Sequence, residues 1–145
     1  MKKAEFFEKV AQVPKAELHI HIEAVASMST IRKLYKKRFG EAMSKEDQKA
    51  LFSYEDLNGF IQAFLKVQDL FQTVNDFDLV FDDLKKYLLK NGITYCEAFF
   101  APSAFIKKGF DYKKFPEGFR GLTDKIREKT GLNEAVVTGK CKIGA

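Results

Sequence analysis

Apolar positions follow two rhythms along this chain. From 16 to 23 they alternate with polar ones, Ala16, Leu18, Ile20 and Ile22 against Glu17, His19, His21 and Glu23, the period of a strand, with Pro14 marking the turn into it. The rhythm then changes. Ser27 or Ser29 is placed to cap a helix through Ile31, Leu34 and Tyr35 to about Phe39, where Gly40 stops it. Ser44 caps a short helix through Leu51. Leu57, Phe60, Ile61, Phe64, Val67 and Phe71 recur at three- and four-residue steps, one face of a helix. Asn75 is placed to cap the next, which carries Phe77, Val80, Phe81, Leu84 and Leu88 and ends at Asn91-Gly92.

The segment 93–100 is nearly all apolar, as a strand covered on both faces is, and Pro102 ends it. A helix around Phe115, Phe119, Leu122 and Ile126, stopped by Gly131, and a strand at 134–138 complete the pattern. Strand, helices, strand, helix, strand predicts parallel βα units and an α/β fold. The alternation alone does not separate a barrel from an open doubly wound sheet.

Composition removes several classes. The chain has 145 residues, 46% hydrophobic and 31% charged, a globular balance. Fifteen Phe and no Trp make phenylalanine the main core aromatic. No apolar run reaches the ~18 residues of a membrane span, and the basic start is followed at once by acidic residues, unlike a secretory signal. Cys96 and Cys141 have no redox or zinc-finger spacing and read as reduced thiols of a cytoplasmic protein. The net charge of +5 comes from lysines interleaved with Asp and Glu, which favours solvated helix faces over nucleic-acid binding.

The candidate chemistry is concentrated in one place. The chain's two histidines are His19 and His21. Residues two apart in a strand share a face, so the imidazoles project together, and neutral imidazole is a good zinc ligand. Glu23 is the next residue of that face, placed to bind metal or orient a substrate. Two histidines hold zinc only with help from elsewhere; the plain alternative is a pair of strand histidines with no ligand.

Residues 13–23, Val-Pro-Lys-Ala-Glu-Leu-His-Ile-His-Ile-Glu, resemble the opening motif of the adenosine deaminase family, Pro-Lys-x-Glu-Leu-His-x-His-Leu-(Asp or Glu)-Gly, the first strand of a TIM barrel. Residues 92–102 resemble that family's second strand, Gly-Val-x-Tyr-x-Glu-x-x-(Phe or Tyr)-x-Pro. The resemblance covers about 5–132, with 133–145 a divergent tail. It implies an α/β fold: a partial TIM (β/α)8 barrel, the first two to three βα units with a helical insertion after the first strand. The whole of 1–145 would then be the amino-terminal part of one deaminase-like domain.

The resemblance also implies site roles. His19 and His21 match zinc ligands, and His21 and Glu23 match substrate-contacting residues. Leu57, Phe60, Ile61 and Phe64 match the apolar helix that roofs the purine pocket, although for at least half of them plain core packing on an amphipathic helix is the better reading. The implied activity is zinc-dependent hydrolytic deamination of adenosine or adenine. The family's glycine after the acidic residue is Ala24 here. Phe99 stands where nucleoside-type members commonly carry Arg, and Phe99-Phe100 resembles adenine-deaminase-like relatives.

The family's later metal ligands and general acid have no match in this chain. The expectation is therefore a truncated homologue without catalytic residues of its own, inactive alone and prone to self-associate through exposed apolar surface. The alternative is a non-catalytic binding or interaction protein derived from a deaminase fragment.

Overall fold

The computed structural model describes residues 2–111, 113–115, 119–121, 124 and 134–139. The elements are α1 (Lys3–Gln12), β1 (Lys15–His21), a 3-10 turn (Ile22–Val25), α2 (Met28–Phe39), α3 (Lys45–Leu51), α4 (Leu57–Asp69), a second 3-10 turn (Val74–Asp76), α5 (Phe77–Asn91), β2 (Ile93–Phe100), α6 (Pro102–Lys107) and β3 (Glu134–Gly139). Residues 114–115, 119–121 and 124 are also helical. Leu122, Ile126, Gly131 and Cys141 lie outside the described residues.

The sheet runs β1-β2-β3, both pairings parallel. Each new strand is added beside the last, with no reversal of order. A doubly wound sheet reverses at its switch point, whereas a (β/α)8 barrel lays its wall down in this continuous way. The chain thus forms part of a barrel wall, with the helices α2 to α5 inserted between its first two strands.

The strand β2 is covered on one face rather than two. Cys96, Ala98 and Phe100 are buried, while Tyr95, Glu97 and Phe99 on the opposite face are half-exposed. The buried face meets α5, whose inner stripe is Phe77, Val80, Phe81, Leu84 and Leu88. The other face is the one that looks into a barrel. As the middle strand, β2 has both edges paired; the open edges among the described residues belong to β1 and β3.

Helix ends follow local chemistry. Ser27 caps α2 by accepting from Thr30 N–H, and the Ser27 N–H donates to Asp83 of α5 at 2.9 Å, tying the two helices. Ser44 caps α3 and Asp56 caps α4. Gly40 and Gly92 end α2 and α5 with φ of 78° and 64°, the left-handed conformation that costs other residues strain. The cap before α5 is not Asn75. The carboxylate of Asp76 accepts from Gln72 and Thr73 N–H at 2.8 and 2.9 Å.

Two helices have no counterpart in the sequence pattern. None of the residues of α1 is buried, so no one-sided core stripe announces it; a Glu5–Lys9 pair one turn apart, at 3.0 Å, supports it. In α6, Pro102 both stops β2 and starts the helix, a position where its missing N–H costs nothing. The helix plants Phe105 in a phenylalanine cluster with Phe71, Phe77, Phe100, Phe115 and Phe119.

Candidate active site

His21 ends β1 beside Phe99 of β2, at the carboxyl end of both strands. Chemistry in this architecture sits at that end. The imidazoles of His19 and His21 lie on one face with ring centroids 5.3 Å apart, and both are exposed. The alternation that predicts this pairing does not run unbroken from Glu17. Between Glu17 and Ile20, β1 advances three residues while β2 advances two, Cys96 to Ala98. The extra residue is a bulge, and it reverses the facing of what precedes it. Glu17 therefore points to the helix side, where the Tyr87 hydroxyl of α5 donates to it at 2.9 Å.

Glu23 does not continue the histidine face. The strand stops at His21, and the 3-10 turn rotates Glu23 into the interior, where it is fully buried. Its Oε1 accepts from Gln68 Nε2 of α4 and from Ala101 N–H, both at 3.4 Å, while its buried Oε2 has no partner among the described residues. Burial raises the Glu23 pKa above the usual carboxylate range, and those hydrogen bonds only partly oppose it.

The His21 imidazole, although exposed along part of its surface, is held below its usual pKa first by partial desolvation against its neighbours and then by the neighbouring His19 charge. Both effects favour the neutral, ligating form of His21. The pair fits as two nitrogen donors to one ion. Among the described residues no group of three or more His, Cys, Asp or Glu side chains is arranged to hold a metal, so the pair could supply two donors and not a closed shell.

The four apolar residues of α4 divide. Phe64 sets its edge against His21 with centroids 5.9 Å apart, and Phe60 packs edge-on against Tyr54. Phe60 and Phe64 line a small cavity of about 50 Å³ with Glu23, Ala24, Tyr54 and Val67. Leu57 and Ile61 do not line it; Leu57 is 72% exposed. This half of α4 is an exposed apolar bank, not a buried core face, and Phe64 is its contact with His21. Its stripe also ends early, because Phe71 lies past the helix and belongs to the phenylalanine cluster.

Ala24, which replaces the glycine of the motif, sits in the 3-10 turn. No non-glycine residue among those described has a positive φ, so its backbone is unstrained. One residue and one contact escaped the sequence reading. Gln68 is polar, buried and in contact with Glu23; its signal was a polar residue directly beside Val67 in an apolar stripe. Phe99 lies flat against His19, with centroids 4.3 Å apart and planes 22° apart, which only the pairing of β1 with β2 brings about.

The sequence model of the adenosine deaminase family matches residues 14–143. The chain belongs to that family. The match runs beyond residue 132, where the motif resemblance fades, and takes in β3. Among curated deaminase relatives, the chain is 30% identical to an adenine deaminase of Vibrio parahaemolyticus over 129 residues, covering 86% of this chain and 38% of that protein. It is 28% identical to one of Mesorhizobium japonicum over 131 residues, covering 90% and 40%. It is 30% identical over 109 residues to an aminodeoxyfutalosine deaminase of Streptomyces avermitilis, covering 73% and 30%. The chain thus spans two fifths or less of the length of these relatives.

Solved structures of the deaminase and amidohydrolase type share the fold. An adenine deaminase from Arthrobacter aurescens superposes with a TM-score of 0.74 at 22% identity, covering 87% of this chain and 39% of that one. An amidohydrolase from Burkhoderia ambifaria with bound Zn superposes at 0.80 and 15% identity, covering 96% and 38%. No helix among the described residues is long and apolar enough to cross a membrane.

Proposed function

We propose that this chain is the metal-holding start of a hydrolytic purine deaminase whose substrate is the free base adenine. The observation that carries the reading is the His19–His21 pair, side by side at the carboxyl end of β1 on the open face of a sequentially ordered parallel sheet. The choice of adenine over adenosine rests on the adenine deaminases among the chain's relatives and on Phe99, which offers no charge or hydrogen bond to a sugar.

His19 and His21 would hold zinc. When bound, zinc lowers the pKa of its water and supplies hydroxide near neutral pH. The protein's own residues then position the base. Phe64, beside His21, gives the purine an apolar face, and Phe60, Leu57 and Ile61 extend that bank. Glu23, kept toward its neutral form by burial, lines the small cavity behind that bank, and its contact with a polar edge of the base requires that cavity to open. The family's general acid has no match in the motifs of this sequence, so the reading assigns turnover to a complete barrel and not to this chain alone.

Zinc calorimetry on the chain and on its His19→Ala, His21→Ala double variant tests the metal part. Binding in the wild type that is lost in the double variant is expected; equal affinity overturns it. NMR titration of the zinc-loaded chain with adenine and with adenosine tests the substrate part. Shifts at Phe64 and Tyr54 with adenine alone support the reading, and equal or stronger shifts with adenosine overturn the choice of base. Metal-dependent ammonia release by the chain alone, abolished in His21→Ala, would contradict its assigned inactivity.

A further inference from the structure

We infer that Phe99 is a positioning residue for the histidine pair: its ring fixes the plane of the His19 imidazole, so that His19 and His21 present their nitrogens to one point before any ion arrives. The inference rests on the metal reading of the pair.

The geometry is specific. The Phe99 ring is stacked on His19 at 4.3 Å and 22°, and its centroid lies 6.4 Å from that of His21. One ring thus reaches both imidazoles. Its own position is rigid, because β2 is the middle strand; the Phe99 backbone is paired with His21 on one side and Thr138 on the other. His21 has a second aromatic neighbour in Phe64, set edge-on at 5.9 Å. His19 is exposed, and among the described residues no hydrogen bond fixes its ring.

An exposed imidazole samples several rotamers, and a metal must select one of them at an entropic cost. A side chain already held in the productive plane avoids that cost, which is how preorganisation raises affinity without adding a ligand. Metal-binding histidines are commonly oriented by a hydrogen bond from the second ring nitrogen. Here a ring stack performs the orientation. An aliphatic residue at 99 would fill similar space and leave the His19 plane free.

The test uses the full chain, metal-free and then titrated with cobalt(II), whose visible absorption reports both affinity and coordination, with zinc competition as a second measure. Phe99→Leu and Phe99→Ile remove the ring, the second with a residue that suits a strand in case the first disturbs folding; Phe99→Tyr restores it. In the wild type without metal, the His19 imidazole protons are expected upfield from the ring current of Phe99. They should return toward ordinary positions in the Leu or Ile variant and move back upfield in the Tyr variant. Cobalt affinity should fall about threefold to tenfold on loss of the ring, and recover with Tyr, from the size of an aromatic pair. Cobalt bound equally well by the ringless variants, or unshifted His19 protons in the wild type, overturns the inference while leaving the histidine pair as ligands. A wild-type chain that binds no cobalt overturns the metal reading and this inference with it.

Discussion

Lys37 of α2 donates to the carboxylate of Asp76, a side chain almost closed off from water at the head of α5. The same carboxylate also takes the N–H groups of Gln72 and Thr73, so one residue shapes the turn, starts the helix and holds α2 against it. Burial pushes the Asp76 pKa up, but Lys37 and the two backbone donors outweigh it and hold the group below its usual value. A carboxylate whose folded pKa is depressed stabilises the fold above its unfolded pKa, and that stability is lost as pH falls through the folded value. Asp76→Asn should therefore destabilise at pH 7 by about 2–3 kcal/mol, because hydrogen bonds to a charged acceptor are lost. The gap between variant and wild type should close on acidification below about pH 4. Urea denaturation at both pH values measures it, and a gap that persists unchanged in acid would contradict the argument.

Glu23 works in the opposite sense. Its folded pKa is raised, so the folded state holds the proton more tightly than the unfolded chain. Stability from this group is fully present below the unfolded pKa and declines as pH rises toward the folded value. Glu23→Gln removes that titration. The wild type should lose stability relative to the variant between acid and neutral pH, read from urea midpoints at several pH values. A difference independent of pH would show that Glu23 does not titrate on folding.

Phe77 is fully buried and touches Phe71, Phe100, Phe105, Phe115 and Phe119. Phe77→Ala should cost about 3–5 kcal/mol, a large share of the 5–15 kcal/mol that holds an ordinary domain together. Phe77→Leu should cost visibly less. Thermal unfolding of the two variants gives the order; equal losses would mean that restoring apolar volume recovers nothing and that the ring contacts carry the whole effect.

Gly59 lies in the first turn of α4, where alanine usually improves a helix by about 0.5–1 kcal/mol. Here an added Cβ would come within 2.8 Å of the Tyr54 Cβ. Gly59→Ala should therefore destabilise the chain and displace Tyr54 from the cavity beside Glu23. Circular dichroism melts and the Tyr54 NMR signals follow both effects. A stabilised variant with Tyr54 unmoved would contradict the clash.

Exposed apolar side chains run along α1, with Phe6, Phe7 and Val10, and along α4, with Leu57, Phe60, Ile61 and Leu65. Uncovered apolar surface of this kind favours association. Sedimentation at several concentrations should show self-association of the chain, weakened by Leu57→Glu with Phe7→Glu. A monomer at all concentrations that binds no hydrophobic dye would sink the idea.

The sequence by itself determined the helices with one wet and one dry face. Leu34, Phe81, Leu84 and Leu88 repeat at helical steps and are buried, and Ser27, Ser44, Gly40 and Gly92 mark helix ends through local hydrogen bonds and backbone conformation. It also determined that His19 and His21 share a face, because two residues apart in a strand means one side. Tertiary structure decided the rest. A wholly exposed helix such as α1 leaves no stripe to read. The bulge at Leu18-His19 exists only in the register between β1 and β2, and it sends Glu17 away from the histidines. The burial of Glu23 depends on a turn that breaks the alternation, and on Gln68, which comes from a helix 45 residues further on. Phe99 meets His19 across strands far apart in the chain. Periodicity records which way a side chain faces along its own element; what it faces is set by pairing and packing between elements, which no local pattern encodes.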